Sequence, residues 1–267
     1  MIQWTLGAVV QNAFPFIFTL GVIVSLLWLG LSRTNQTSVS RLPSRTSLPI
    51  IRIDAGLAAL AVGLISARLG FVALHWEYYA SKPIEVLWFW QGGLSWVGGA
   101  LGAILGLGLF CILTRHPFWP LADTLALPGM VVALACWSGC LADGCAYGRA
   151  LDSPLWASPT PDMFGSRNPR WPTQMIGVVY SSLALVLLYW LAGHHPKPGI
   201  LACISLSMIA AGAFALSFTR SDPIMLLSGL RLDTWGSAAI LLLGGASLTL
   251  CGLHHRRRSD GIPKPGE

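Results

Sequence analysis

The stretch that decides the fold is GGLSWVGGALGAILGLGLFCIL, residues 92–113, which contains no charged side chain. At about 1.5 Å of rise per residue it is long enough, as a helix, to cross a hydrocarbon core roughly 30 Å thick. Its glycines at 98, 102 and 106 recur every four residues and so form one smooth stripe on which a second helix can pack closely. Six further stretches have the same length and character, at 13–31, 54–74, 121–142, 174–191, 199–219 and 234–253. None alternates polar and apolar residues as barrel strands do, and backbone polar groups cannot go unpaired in hydrocarbon, so all seven are predicted to be helices.

The whole composition agrees. Of 267 residues 54% are hydrophobic and 10% charged, and the mean hydropathy is +0.64. A soluble domain carries about 25% charged residues, and disorder requires low hydrophobicity with high net charge, so both are excluded. The net charge of +6 does not indicate nucleic acid, because the basic residues lie in short loops between apolar segments. The cysteines, Cys111, Cys136, Cys140, Cys145, Cys203 and Cys251, lie mostly within apolar runs and show no zinc spacing. The expected class is therefore all-α, a polytopic membrane protein of about seven transmembrane helices.

Alternate loops differ in basic residues. One side holds Arg33, Arg41, Arg45, Arg52, Arg115, Lys197, Arg256, Arg257, Arg258 and Lys264; the other holds Lys82, Arg149, Arg167, Arg170, Arg220 and Arg231. The richer side is cytoplasmic by the positive-inside rule, which puts the N-terminus outside and the C-terminus in the cytoplasm. Met1 to Thr5 carries no Lys or Arg, so the first segment reads as a retained span. With no repeat or linker, residues 1–253 read as a single transmembrane domain and 254–267 as a short basic cytoplasmic tail.

Several residues stand out against this background. Arg68 lies within the second span, where a cation either snorkels to the outer interface or sits among helices and binds an anionic headgroup bidentately. Gly92-Gly93 favours an unwound start to the third span, lining a cavity. Cys136 and Cys140 are i,i+4 neighbours; they read as small packing residues, because thiol redox chemistry usually presents a C-x-x-C pair. Asp143, Tyr147 and Arg149 cluster where the fourth span ends, as a polar site or as interface anchors. Arg167-Asn-Pro-Arg170-Trp171-Pro172-Thr173-Gln174 leads into the fifth span, where Thr173 and Gln174 suit a helix cap and the arginines suit an anionic surface.

The order of these motifs resembles the prolipoprotein diacylglyceryl transferases of bacterial cytoplasmic membranes. The resemblance runs through Ala67 to Val72, then Gln91 to Gly99 (similar to the family's G-G-M-S-F-H-G-G) and Gly139 to Arg149 (its G-x-F-x-x-G-x-x-Y/W-G-R region). It continues with Phe164 to Arg167 and Arg170 to Gln174 (its R-H-P-S/T-Q), and with Phe218 to Pro223 (its F-F-R-x-P-D). Val97 stands where the family has histidine, Trp137 where it has arginine, Cys140 and Asp143 at its Asn positions, and Ala213 and Ser217 where it has arginine and glutamate.

The resemblance implies transfer of diacylglyceryl from phosphatidylglycerol to the thiol of a lipobox cysteine, forming a thioether and releasing glycerol phosphate. It implies Asp143, Arg149 and Arg220 as catalytic residues, with Arg68, Arg149 and Arg220 holding the phosphate and Asp143 or water as base. Substrate contacts are expected at Arg68, Gly98, Gly99, Tyr147 and Gln174. No cofactor or metal is expected. The expected partners are phosphatidylglycerol, a preprolipoprotein lipobox segment and membrane lipid, without nucleic acid, for a monomer in the bacterial inner membrane. The alternative is a catalytically inactive lipid-binding or accessory protein on the same scaffold. A transporter is disfavoured, because ionisable residues near midplane and paired repeats are missing.

Overall fold

The computed structural model describes residues 13–32, 48–88, 92–151, 157–158, 168–194 and 196–260, with backbone alone at 48 and 252–260. Its helices are α1 (Ala13–Leu31), α2 (Leu48–Leu74), the short α3 (Trp76–Ser81), α4 (Trp96–Thr114), α5 (Phe118–Asp143), α6 (Thr173–Ala192), α7 (Ile200–Ser217) and α8 (Leu232–Asp260). All but α3 are long and apolar enough to cross a membrane. Pro83–Leu87 forms a turn of 3₁₀ helix, and strands β1 (Leu226–Leu227) and β2 (Leu230–Arg231) form a hairpin. Its two-residue tip, Ser228-Gly229, has positive φ at both positions (53° and 78°), as a type I′ turn requires. This hairpin was not expected from an all-α reading.

The spanning helices pack in a closed circuit in which α1 meets α2, α2 meets α4, α4 meets α8, and α7, α6 and α5 lead back to α1. Helix α5 also touches α2, α4 and α7, which makes it the hub. The most extensive seam joins α2 to α4, and the glycine stripe creates it. A Cβ at Gly98 would lie 2.5 Å from the Ser66 carbonyl oxygen, one at Gly106 2.6 Å from that of Ala58, and one at Gly102 would collide with the Ser66 side chain. Only residues without a side chain permit this backbone approach.

Three boundaries differ from the sequence expectation by four residues or more. Helix α2 begins at Leu48 rather than 54 and so includes Arg52, which the sequence reading placed in a loop. Arg52 is buried (4% exposed) and donates to the Ser32 carbonyl just beyond α1, where a cation suits a helix C-terminus. Helix α4 begins at Trp96 rather than 92: Gly92 and Gly93 have φ of 83° and 75°, and Ser95 caps the helix by accepting the Gly98 N–H. Helix α8 continues to Asp260, past the expected end at 253.

Because the helices alternate in direction, the described residues 75–88, 92–95, 144–151, 168–172 and 218–231 lie at the same end as the start of α1. At the opposite end the buried carboxylate of Asp123 accepts the N–H groups of Gly199 (2.7 Å) and Ala202 (2.8 Å), capping α7.

Candidate functional site

The site is built around the chain that leaves α5. Residues 147–151 run between 169–171 on one side and 219–221 on the other. The Arg149 N–H donates to the Thr219 carbonyl (3.0 Å), the Ser221 N–H to that of Tyr147 (2.9 Å), the Trp171 N–H to that of Arg149 (2.9 Å) and the Leu151 N–H to that of Pro169 (3.1 Å). Gly148 is necessary at the centre, since a Cβ there would run into the Trp171 carbonyl. The Thr173 and Thr219 hydroxyls, 2.9 Å apart, tie the two flanking segments together.

The turn before this segment is held from two sides. Cys140, in the last turn of α5, forms a disulfide with Cys145, so the reading of Cys140 as a packing thiol is corrected. Two cysteines five residues apart can meet here because Gly144 takes the left-handed conformation (φ 77°) and turns the chain back. Gln174 is fully buried, and its Nε2 donates to the carbonyls of both half-cystines, Cys140 (3.0 Å) and Cys145 (2.6 Å). Neither Thr173 nor Gln174 therefore caps its own helix, as the sequence reading had it; both reach across to neighbouring segments.

This framework presents Tyr147 and Arg149 together. Tyr147 is buried, and the guanidinium of Arg170 lies over its ring at 4.7 Å, a cation–π arrangement. Arg149 is exposed, and its guanidinium has no hydrogen-bond or ion-pair partner among the described residues. Arg170 was noticed in the sequence only as suited to an anionic surface; its stacking on Tyr147 depends on the 148–150 and 170 segments meeting in three dimensions.

The other two arginines expected at the phosphate are engaged elsewhere. Arg68 is 3% exposed and gathers backbone carbonyls, with Nε to Val86 (2.8 Å), Nη1 to Gly92 (2.7 Å) and Gly93 (3.2 Å), and Nη2 to Glu85 (2.5 Å). The positive φ of Gly92 and Gly93 turns their carbonyls onto it, and a Cβ at Gly93 would lie 2.8 Å from Nη1. Arg220 makes a two-point pair with Asp222 (2.8 and 2.7 Å) and a second pair with Asp233 (3.2 Å). Arg231 joins the same two carboxylates at 3.2 and 3.1 Å. Burial by itself would push the Asp222 carboxyl up, but Arg220 and then Arg231 hold it below the ordinary carboxylate range. Arg231 is shifted up in turn, Asp233 and Asp222 outweighing its burial. Two cations and two anions close on each other at the base of the hairpin. The repeated spacing Arg-x-Asp, at 220–222 and 231–233, is the sequence signal that could have revealed this.

Asp143 accepts the N–H groups of Ala13 (3.0 Å) and Phe14 (2.9 Å), one on each carboxylate oxygen, at the start of α1. Gly98 and Gly99 lie in the α2–α4 seam. Val97 packs on Gly236, the Trp137 indole covers Gly177, and the Ser217 hydroxyl accepts from Thr234 (2.9 Å). Val97, Trp137 and Ser217, where the resemblance expects histidine, arginine and glutamate, thus lie in helix–helix contacts. Arg167 and Gln91 fall outside the described residues. Among the described residues no three His, Cys, Asp or Glu side chains gather as a metal site. What the arrangement offers is cationic: an outward guanidinium and a stacked one, carried on two hydrogen-bonded segments at one end of an apolar bundle.

Comparison with known proteins places this frame. The family model described as prolipoprotein diacylglyceryl transferase matches residues 2–250. The chain is 31% identical over 208 residues to the phosphatidylglycerol–prolipoprotein diacylglyceryl transferase of Cupriavidus necator, covering 76% of this chain and 75% of that one. It is 32% identical over 204 residues to the protein of the same name from Bordetella avium (73% and 74% covered), and 26% identical over 255 residues to that of Bacillus licheniformis (92% and 90%). With the seven spanning helices, a match over nearly the whole sequence settles the ancestry: the chain belongs to the prolipoprotein diacylglyceryl transferase family.

Proposed function

We propose that this protein transfers the diacylglyceryl group of phosphatidylglycerol to the thiol of a lipobox cysteine, at the outer face of a bacterial cytoplasmic membrane. The observation that carries this reading is the exposed guanidinium of Arg149, on the same segment whose Tyr147 carries the Arg170 stack. The substrate thiol gives its proton to water, its sulfur attacks the glycerol carbon bearing the phosphate ester, a C–S bond forms as the C–O bond breaks, and glycerol phosphate leaves with the bond's electron pair. Arg149 and Arg170 hold the phosphate and stabilise the charge that grows on its oxygen. The same positive field lowers the pKa of a neighbouring thiol, favouring the thiolate nucleophile. Arg68 and Arg220 act behind them, holding Glu85, Val86, Gly92 and Gly93 and the 218–233 hairpin respectively. Tyr147 supports Arg170, and Gln174 holds the turn from which Tyr147 and Arg149 emerge.

The orientation follows the same logic. The Cys140–Cys145 disulfide lies at the site end, and disulfides persist outside the cytoplasm, which supports an external N-terminus and a cytoplasmic C-terminus. The abundance of basic residues at the other end agrees. Residues 1–253 act as one membrane domain, with 254–267 a cytoplasmic tail and the chain working as a monomer.

The test uses detergent-purified protein, labelled phosphatidylglycerol and a lipobox peptide. Thioether-linked peptide is expected from the wild type, and Arg149→Ala is expected to lower kcat/KM by about a hundredfold to a thousandfold, as for loss of one preorganised donor. A wild type that forms no product where an active relative does, or an Arg149→Ala variant as fast as wild type, overturns the reading.

A further inference from the structure

The chain between α5 and the site makes an unusual reversal. Within three residues Gly144 and Ala146 both take left-handed backbone conformations (φ 77° and 53°), and Ala146, unlike glycine, has a Cβ that disfavours this region. Tyr147 and Arg149 follow directly, so their direction depends on this turn keeping its shape. Two links hold it. One is the Cys140–Cys145 disulfide, which ties the far side of the turn to the last turn of α5. The other is the Gln174 carboxamide, whose single nitrogen bonds both half-cystine carbonyls. Beyond the turn, residues 147–151 are held, among the described residues, by backbone hydrogen bonds to two other loops and by the stack of Arg170 on Tyr147. Both half-cystines are partly exposed, so a reductant can reach the bond.

We infer that Cys140 and Cys145, joined as a disulfide, are positioning residues that aim Arg149 at the substrate phosphate, and that breaking this bond disables the site without unfolding the bundle. Neither sulfur touches substrate. The inference rests on the transfer reaction proposed above. Its structural half, that the disulfide orders 147–151, stands independently.

The experiment treats full-length protein in detergent with dithiothreitol, which is oxidised to its cyclic disulfide while Cys140 and Cys145 become thiols. Alkylation and mass mapping verify that these two sulfurs have been released. Amide exchange at 147–151 and Ser221 is then expected to accelerate about tenfold or more, as hydrogen bonds there open locally, while exchange in the α2–α4 seam is unchanged. For transfer, kcat is expected to fall by up to about a hundredfold, the effect of a misplaced catalytic group, with little change in KM for the lipid. Reoxidation with oxidised glutathione should restore both. The double variant Cys140→Ser, Cys145→Ser should match the reduced protein and ignore dithiothreitol; should it fail to fold, the reduced wild type alone decides. Unchanged exchange in fully reduced protein overturns the inference. Faster exchange with unchanged kcat overturns its functional half. Absence of transfer by the oxidised wild type counts against the reaction proposed above and leaves the exchange result to judge the turn.

Discussion

Replacing Arg68 separates two roles that its sequence position left open. If the guanidinium organises the loop after α2, its loss shows in the protein without any lipid; if it grips a headgroup, its loss shows in lipid retention. The side chain is 3% exposed and makes four hydrogen bonds to the carbonyls of Glu85, Val86, Gly92 and Gly93. A hydrogen bond to a charged donor contributes about 1.5–3 kcal/mol net, but carbonyls near the end of a span regain water when released. The expected loss for Arg68→Ala is therefore about 3 kcal/mol, well below the simple sum. Arg68→Lys keeps the charge but concentrates its donors at one point, so it should recover only about 1 kcal/mol of that. Unfolding by dodecyl sulfate titration in mixed micelles reads the loss, and cleavage after Glu85 by a glutamate-specific protease reads the loop, since the Glu85 carbonyl is one that Arg68 holds down. Faster cleavage and a lower unfolding midpoint are expected in lipid-free protein. Wild-type stability and cleavage, combined with reduced retention of phosphatidylglycerol, would refute the clamp and restore a headgroup role.

Gly102→Ala should cost about 1–3 kcal/mol in the same titration, because its Cβ meets Ser66, whereas Gly108→Ala meets nothing within 4 Å and should be neutral or stabilising by up to about 1 kcal/mol. Asp143→Asn should leave transfer within a few-fold of wild type while weakening the start of α1 by about 1 kcal/mol, a cap effect; turnover abolished with stability intact would instead make Asp143 a base. The Asp222 carboxyl titrates below its ordinary value, so its contribution to the hairpin is complete above pH of about 4, the unfolded value, and is lost as pH falls through the lower folded value. Amide exchange over 226–231 should rise on acidification below that point in the wild type, and should already be raised and insensitive to acid in Asp222→Asn.

What the sequence disclosed and what it withheld have a common physical origin. Hydropathy reports on the solvent around a whole segment, so all seven spans were legible, with ends shifted where a single polar residue found a local partner. Arg52 extends α2 because the Ser32 carbonyl receives it, and Gly92-Gly93 shortens α4 because their carbonyls turn to Arg68. The glycine stripe was legible for a similar reason, as a helix seam depends on periodicity alone. The site was legible as a set of residue types but not as a set of partnerships. Arg68, Arg149 and Arg220 look alike in sequence; carbonyls 17 to 25 residues away engage the first, Asp222 and Asp233 neutralise the third, and only Arg149 remains outward. The disulfide was missed because its spacing fits no redox motif and depends on a left-handed turn at Gly144.

The capping of α7 by Asp123 carries a consequence for how the protein is made. The carboxylate belongs to α5, yet the N–H groups it accepts arrive 76 and 79 residues later. At synthesis rates of about 5–20 residues per second, roughly 4–15 s separate the emergence of the acid from that of its partners. During that interval the first four spans hold an unsatisfied anion at the end opposite the site, where water or a lipid headgroup must shelter it. The carboxylate then becomes the berth into which the late-arriving helix drops, so the two halves of the bundle register with each other at the moment of docking rather than before it.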